Sequence, residues 1–191
     1  VVLVVGILIG AVAGVVSAKK VKMTDMPQLV SVFNTVGGGA AALVALNDIL
    51  TKEGTPDIVV LITAGLGIMI GSVTFSGSLI AAGKLQGIKW VKKLSLPGKG
   101  FWNILFVVLT IVSFVMLCVQ PNQRLLWSIL TTVFALCYGL VFVIPIGGAD
   151  MPVVISVLNA CTGTAVAMSG LAINNIALIV AGALVGAAGV T

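Results

Sequence analysis

The stretch GGADMPVVISVLN (residues 147–159) has a near copy earlier in the chain, MTDMPQLVSVFN (residues 23–34). Aligned at an offset of 125 residues, segments 25–34 and 150–159 share Asp, Met, Pro, Ser, Val and Asn, which is six of ten positions. Apolar helices match by chance at Val, Leu and Ala but not readily at Asp, Pro and Asn, so we interpret the match as an internal repeat. Its register continues through the pairs Gly38/Gly163, Ala40/Ala165, Ala42/Ala167 and Leu46/Leu171.

The chain around the repeat has the composition of a membrane protein. Of its 191 residues, 60% are hydrophobic and only 8% are charged. Soluble domains carry about 25% charged residues. Apolar runs of about 17 residues or more recur, and they lack the period of two that marks the strands of a β-barrel. The sequence therefore predicts an all-α membrane protein, a polytopic bundle of about seven to eight transmembrane helices with a parallel internal repeat.

Seven helices can be placed on the apolar runs, most of them long enough for a hydrocarbon core of about 30 Å at about 1.5 Å per residue. They are Val1–Ser17, Met26–Leu46, Ile58–Ala82, Phe101–Val119, Leu125–Ile144, Met151–Ala172 and Asn175–Val190. The first and last look shortened, so we expect residues 1–191 to be a fragment of a longer polypeptide.

The basic residues predict the orientation. Alternating the spans leaves Lys52 and Arg124 on one side and puts eight lysines on the other: Lys19, Lys20, Lys22, Lys84, Lys89, Lys92, Lys93 and Lys99. The lysine-rich side is then cytoplasmic, or the matrix side in a mitochondrion. The basic loop at residues 84–100 therefore needs no nucleic-acid partner. It either anchors the protein to anionic lipid of the bilayer or docks a soluble domain.

Both copies of the repeat begin on the lysine-rich side, because four spans intervene, which makes them parallel repeats about an axis along the membrane normal. Asp25 and Asp150 have the position of N-caps, and Pro27 and Pro152 fall in the first helical turn, where no amide hydrogen bond is lost. Capping alone can explain the aspartates. The glycines of PIGGAD (residues 145–150) favour a shaped turn with a further role.

Asn34 and Asn159 each lie nine residues past an aspartate, which is roughly 13 Å into the membrane. An amide at that depth must be paired or face water or the bundle interior. Each asparagine shares a helix face with serine, threonine and glycine, namely Ser31, Thr35 and Gly38, and Ser156, Thr162 and Gly163. Two interpretations stay open: tight helix packing, or a narrow, water-assisted path for a proton or small ion.

A third stripe of small residues, Gly67, Gly71, Thr74 and Ser78, has the spacing of a helix-packing face. GALVGAAG (residues 182–189) looks like a weaker second copy of it, without the serines. Neither stretch follows a strand, so GLGIMIG (residues 65–71) is not a dinucleotide-binding fingerprint.

Soluble-enzyme chemistry and metal binding are not expected of this chain. It has no histidine and only five carboxylates, which leaves no catalytic triad, no paired carboxylates and no protein-borne metal cage. The three cysteines, Cys118, Cys137 and Cys161, lie in apolar spans without CxxC spacing and read as inert buried thiols.

Four stretches together resemble a known family: AKKVKMTDMPQLVSVFN (residues 18–34), GSVTFSGSLIAAGKLQG (71–87), PIGGADMPVVISVLNA (145–160) and GALVGAAG (182–189). In order and spacing they are similar to the membrane domain of the proton-translocating NAD(P) transhydrogenase, beta-subunit type, over essentially all 191 residues.

The resemblance implies partners that this chain does not contain. In that family a soluble NAD(H)-binding domain passes hydride to a soluble NADP(H)-binding domain, and the membrane domain couples this transfer to proton movement. The resemblance implies that residues 1–191 are the transmembrane proton-channel domain, with the NADP(H) domain attached after Thr191 on the lysine-rich side. Alpha-subunit helices would complete each membrane unit, and the whole enzyme would be a dimer. No catalytic, cofactor-binding or metal-binding residue is then expected here, since NAD(H) and NADP(H) bind the soluble domains.

The resemblance also assigns roles to single residues. Asn34, Asn159 and Thr162 match positions of the family's proton path, and Ser78 matches a further one, although Ser76 lies close enough to compete for that assignment. Asp150 would face the NADP(H) domain, with Asp25 as its counterpart in the first copy. Many members carry histidine where this chain has Asn34. Asparagine does not titrate, so the proton-carrying group would be a histidine on an alpha-subunit helix.

Two other functions remain open at this stage. A secondary transporter or channel for a small solute or ion would use the same parallel repeat, but it normally shows broken helices or an intramembrane charge. A purely structural membrane subunit would explain the small-residue stripes but not the repeated Asp-Met-Pro-Ser-Val-Asn pattern. The resemblance instead implies a multi-pass protein of the bacterial cytoplasmic membrane or the mitochondrial inner membrane.

Overall fold

The structure, a computed structural model, describes residues 1–89, 91 and 98–189. In that part of the chain seven long α-helices follow one another and no strand is present. They are α1 (Val2–Lys20), α2 (Met26–Thr51), α3 (Ile58–Leu85), α4 (Lys99–Val119), α5 (Arg124–Val143), α6 (Met151–Ala172) and α7 (Ile176–Ala188). The all-α class and the seven predicted helices are confirmed. Lys92, Lys93 and Val190, which took part in the sequence predictions, lie outside the described residues.

Helix α2 extends five residues beyond its predicted end at Leu46, because Ile49 still packs in the apolar core and polar side chains bond within the last turn. Thr51 Oγ1 donates to the Asn47 carbonyl at 2.8 Å, and Lys52 pairs with Asp48 at 3.4 Å. The chain then turns through Gly54, whose φ of +74° is a left-handed conformation that glycine adopts readily. The Gly54 carbonyl accepts a 2.9 Å hydrogen bond from Arg124 Nη1, which ties the α2–α3 turn to the start of α5.

Five of the helices are long and apolar enough to cross a membrane, namely α2 to α6. Helix α7 is shorter, at 13 residues, and begins at Asn175, whose side chain accepts a 3.1 Å hydrogen bond from the Leu178 amide. All described side chains of α1 are exposed or half-buried. The packed bundle therefore consists of α2 to α7.

Glycines bring α2 and α3 into direct backbone contact. A β-carbon on Gly71 would lie 2.6 Å from the Gly38 carbonyl oxygen and 3.0 Å from the Ala42 amide nitrogen. Helices α6 and α7 meet in the same way, since a β-carbon on Gly182 would lie 2.6 Å from the Gly163 carbonyl oxygen and within contact of Ala167. The small-residue stripes are thus helix-packing faces, as their spacing predicted.

The repeat extends to both helices of each pair. Ser31 Oγ on α2 donates to the Ser78 carbonyl on α3 at 2.7 Å, and Ser156 Oγ on α6 donates to the Gly189 carbonyl after α7 at 2.8 Å. The α2 and α6 residues differ by the 125-residue offset of the sequence repeat. The residues that they contact in the second helix of each hairpin differ by 111 residues. This holds for Ser78 and Gly189, and also for Gly71 and Gly182. The unit of the repeat is therefore an antiparallel hairpin with a shorter turn in the second copy.

The two hairpins pack with their first helices parallel. Contacts between α2 and α6 run in the same direction along both helices: Asn34 with Ile155, Gly37 with Thr162, and Ala41 with Ser169. The parallel relation predicted from the sequence is confirmed, and residues 25 and 150 lie at the same end of the bundle. Helix α3 also packs against α5 and α6, so it is the central helix of the bundle.

An apolar core fills the bundle at the end where α3 and α5 finish and α6 starts. Its buried members come from those three helices and the segment after α3, and they are Ile80, Ala81, Val91, Val143, Ile144, Met151, Val154, Ile155 and Leu158. A second, smaller core around Ile49, Ile68 and Leu117 lies towards the other end. The polar residues of the repeat lie beside the first core, since the Asn34 amide bonds to the Ile155 carbonyl.

Candidate functional site

The aspartates that start the two hairpins are not side-chain caps, which corrects the sequence prediction. Asp25 and Asp150 occupy the N-cap positions of α2 and α6, yet neither carboxylate accepts a hydrogen bond from its helix. A 3₁₀ turn precedes each helix and gives the aspartates φ/ψ near −103°/4° and −90°/−2°. An N-cap normally has extended backbone, which is what turns its side chain towards the helix amides. Both carboxylates are exposed.

Asn34 is buried at the contact between the two hairpins. Its side chain is 4% exposed, and Nδ2 donates to the Ile155 carbonyl on α6 at 3.4 Å. One turn earlier on the same face, Ser31 is fully buried and bonded to the Ser78 carbonyl of α3. Asn34 thus lies where α2, α3 and α6 meet, inside the bundle, as the cost of exposing an amide to lipid requires.

Ser78 carries a buried hydroxyl without a partner. The residue is 0% exposed, and among the described residues its Oγ makes no hydrogen bond. Ser76 faces elsewhere, because its Oγ donates to the Ser72 carbonyl at 3.1 Å and contacts Gly139 of α5. Of the two serines, it is therefore Ser78 whose backbone carbonyl accepts the hydrogen bond from Ser31. An unpartnered buried hydroxyl is uncommon and points to an unseen partner such as water.

Thr162 lies one to two turns further along the same junction. It is 7% exposed, its Oγ1 donates to the Leu158 carbonyl at 2.9 Å, and its methyl group would lie 3.0 Å from a β-carbon on Gly37. Thr162 is therefore on the α6 face that meets α2. The structure brings Asn34, Ser78 and Thr162 to one junction.

Asn159 is not brought into that junction. It is half-buried, and within the described part of the chain its amide makes no hydrogen bond. By the repeat it is the counterpart of Asn34, whose amide reaches the neighbouring hairpin. In the second hairpin the counterpart of Ser78 is Gly189, which follows α7. The second hairpin therefore has no hydroxyl at the position of the Ser78 side chain. The two hairpins therefore share a backbone framework but differ in polar content.

Two residues that sequence reasoning missed belong to this region. Gln28, one turn before Ser31 on α2, has its Oε1 buried with no hydrogen-bond partner among the described residues. Its helical spacing from Ser31 and Asn34 was the signal that could have revealed it. Lys84 at the end of α3 donates from Nζ to carbonyls at the end of α5 and beyond it. No sequence signal identifies that contact, since the partners are backbone atoms about 60 residues away.

A further polar seam joins α4 and α5. Thr131 Oγ1 lies 2.8 Å from the Trp127 carbonyl and 3.2 Å from Ser113 Oγ, so its single hydroxyl hydrogen can be donated to either acceptor. Both residues are almost fully buried, and their hydroxyls have partners. Because these hydroxyls are hydrogen-bonded within the bundle, they contribute to the packing of α4 against α5 and are not a candidate site. Within the described residues, no three His, Cys, Asp or Glu side chains come together in a way that could hold a metal ion.

Comparison with known proteins gives a family for the whole chain. The family described as NAD(P) transhydrogenase beta subunit matches residues 1–191. Two curated relatives, both named NAD(P) transhydrogenase subunit beta and both from Rhodospirillum rubrum, are 42% identical to this chain over 194 aligned positions. These alignments cover 98% of this chain and 41% of each relative, so the chain spans about two fifths of their length.

Proposed function

The chain belongs to the NAD(P) transhydrogenase beta-subunit family, and we propose that it forms the proton-translocating membrane domain of such an enzyme. In this proposal, proton movement through the bundle is coupled to hydride transfer between NAD(H) and NADP(H), which bind soluble domains outside residues 1–191. The observation that carries the proposal is the junction of α2, α3 and α6. There the buried Asn34 amide and the unpartnered Ser78 hydroxyl lie within an otherwise apolar bundle.

Small polar groups of this kind suit water better than a larger solute. Helices α2 and α3 meet backbone to backbone at Gly38 and Gly71, and α2, α3 and α6 are continuous helices. A secondary transporter normally has broken helices around its substrate. A short chain of water molecules, by contrast, needs only two to four polar partners per molecule. Such partners are available on α2, from Gln28, Ser31 and Asn34, and on α6, from Thr162.

The proton-carrying group would come from a partner chain. Asparagine, serine and threonine hold water but do not titrate in the physiological range, and the chain has no histidine. We therefore assign this role to a histidine on an alpha-subunit helix. Asn159, half-buried and without a hydrogen bond in this chain, would complete the path together with that helix. The further partners would be the soluble NAD(H) and NADP(H) domains and a second copy of the enzyme.

Coupling would operate from the lysine-rich end. Asp25 and Asp150 have exposed carboxylates that are not used as caps, so both can contact a soluble NADP(H) domain docked there. The state of that domain would change which side of the membrane the proton-carrying group reaches. This requires that the two access states bind the soluble domain with different affinity. The lysine-rich end would be cytoplasmic in a bacterial membrane, or on the matrix side of the mitochondrial inner membrane.

Thr162→Val tests the function of the path in the assembled enzyme. The exchange keeps the shape and removes only the hydroxyl, so we expect proton pumping in proteoliposomes to fall by roughly tenfold, the effect of about 1.4 kcal/mol. Hydride exchange between the isolated soluble domains should not change. Thr164→Val is the matched control, because exposed Thr164 makes the same bond to the fourth preceding carbonyl, at 2.9 Å. Equal pumping by both variants would assign Thr162 to packing alone.

Ser78→Ala separates a water site from a packing defect. A buried hydroxyl with no partner at all destabilises the fold by about 1–3 kcal/mol, so its removal should raise thermal stability if the site is dry. If Ser78 holds water in the path, we expect stability to stay within about 0.5 kcal/mol and pumping to fall several-fold. Ser76→Ala, which removes a hydroxyl bonded within α3, should leave pumping unchanged. A more stable and fully active Ser78→Ala enzyme would exclude Ser78 from the path.

A further inference from the structure

Lys84 joins the end of α3 to the end of α5. Its Nζ donates hydrogen bonds to three backbone carbonyls, those of Val143 at 3.1 Å, of Ile146 at 2.8 Å and of Ile144. The side chain is half-buried. A lysine ammonium carries three donors and no acceptor, and backbone carbonyls are suitable partners for them.

The three carbonyls belong to the place where α5 stops. The last carbonyls of a helix have no partner within the helix, and a cation near that end interacts favourably with the helix dipole. Helix α5 ends at Val143, and the Ile146 carbonyl already belongs to the turn that leads to Asp150. Lys84 therefore completes the end of α5 and also holds the first part of this turn.

The exposed part of that turn, residues 147–150, makes few contacts of its own, whereas Ile144 and Ile146 pack on the apolar core. A β-carbon on Gly148 would meet no atom within 4 Å, and one on Gly147 would meet only Asp150 Oδ2, at 3.9 Å. Within the turn, the Ile146 amide donates to the Val143 carbonyl and the Asp150 amide donates to the Gly147 carbonyl, both at 3.2 Å. Residues 147–150 are exposed. Asp150 is therefore held from the two ends of this segment, by residues 143–146 on one side and by the fully buried Met151 on the other.

We propose that Lys84 is a positioning residue that holds the turn of residues 144–150 against α3 and so fixes Asp150 relative to the polar junction. The inference rests on the proposed function, in which Asp150 meets the NADP(H) domain. Ser78 and Lys84 lie six residues apart on α3, or about 9 Å along the helix. The ammonium group therefore links the Asp150 turn to the helix that carries Ser78, in addition to the direct packing of α3 against α5 and α6.

The test compares Lys84 variants of the full-length enzyme in membranes, with a reporter cysteine introduced as Ile146→Cys, at the half-buried position whose carbonyl Lys84 binds. A membrane-impermeant maleimide reports how far the turn opens, and the enzyme without the reporter cysteine corrects for labelling of native cysteines. With Lys84→Met we expect roughly tenfold faster labelling, since charge-assisted hydrogen bonds are lost. The number of protons pumped per hydride transferred should fall at least about threefold, and the effect of NADP(H) on labelling should disappear.

Two controls make the result specific. Lys89→Met removes an exposed lysine near the same end of the bundle and should change neither labelling nor coupling. Lys84→Arg keeps the charge but replaces a compact ammonium by a planar fork, so we expect labelling between that of the parent and that of Lys84→Met. If Lys84→Met does not accumulate in membranes, Lys84→Arg carries the test, and unchanged labelling in that variant overturns the proposal.

The outcomes also separate this inference from the proposed function. Unchanged labelling and coupling in Lys84→Met, or equal changes in Lys89→Met, overturn the positioning role while Thr162→Val still reduces pumping. If Thr162→Val and Asn34→Ala leave pumping intact, the proposed path fails whatever Lys84 does. Faster labelling with normal coupling would show that Lys84 holds the turn without positioning Asp150 for coupling, and it would also overturn the inference.

Discussion

Gly163→Ala is expected to prevent stable assembly of the second hairpin. A β-carbon at this position would lie 2.6 Å from the Gly182 carbonyl oxygen and 2.6 Å from Gly186 Cα, and it would overlap the Gly186 amide nitrogen. All three are backbone atoms, so no side-chain rotation relieves the clash. Overpacking typically costs about 1–3 kcal/mol even where side chains can move, and we expect about 3 kcal/mol or more here. Loss of folded protein in membranes and a lower unfolding temperature in detergent are the measurements.

Gly38→Ala provides an internal replicate, because Gly38 is the counterpart of Gly163 and its β-carbon would lie 2.9 Å from the Gly71 carbonyl oxygen. Gly10→Ala is the matched control in a helix interior, since a β-carbon on Gly10 meets no atom within 4 Å. Alanine is the better helix former, so this control should be neutral or slightly stabilising. Normal abundance and stability of Gly163→Ala would mean that α6 and α7 do not approach as closely as the backbone contacts indicate.

The helices and the repeat could be predicted from the sequence because both depend on local or periodic signals. An apolar run of sufficient length predicts a span by itself, and Asp25–Asn34 aligns with Asp150–Asn159 without knowledge of the fold. The C-terminal end of α2 could not be predicted equally well, since Asn47 and Asp48 interrupt the apolar run although Ile49 beyond them is buried in the core.

The contacts of the candidate site could be predicted only in part, because they depend on how helices are rotated against one another. The Ser31 and Ser78 pair is separated by 47 residues, and the Lys84 and Ile146 pair by 62. The stripe containing Asn34 predicted a buried face but not which neighbour it meets. Asn159 shares the pattern of Asn34 and nevertheless lies outside the junction, since each copy of the repeat meets different neighbours. The capping prediction failed because a 3₁₀ turn changes the backbone angles of both aspartates.

Asn34→Ala is expected to stop most proton pumping without unfolding the bundle. The Asn34 amide makes one hydrogen bond of 3.4 Å, to the Ile155 carbonyl. A neutral hydrogen bond contributes about 0.5–1.5 kcal/mol net, so its loss should lower stability by about 1 kcal/mol, and alanine leaves space that water can fill. If Asn34 only joins α2 to α6, this loss of stability is the only effect and pumping does not change. If it orients water in the path, pumping and coupled hydride transfer should fall by more than about tenfold, a barrier increase of at least 1.4 kcal/mol.

The comparison that decides between these interpretations uses stability and pumping measured on the same preparation. Asn47→Ala at the exposed end of α2 removes the same kind of side chain from the same helix. It should change stability by no more than about 0.5 kcal/mol and should leave the pumping rate close to that of the parent. A stability loss of about 1 kcal/mol in Asn34→Ala with normal pumping would identify Asn34 as helix-joining polarity. The same stability loss with pumping reduced more than about tenfold indicates that the amide orients water in the path, because the loss of one weak hydrogen bond in packing does not account for so large a change in rate.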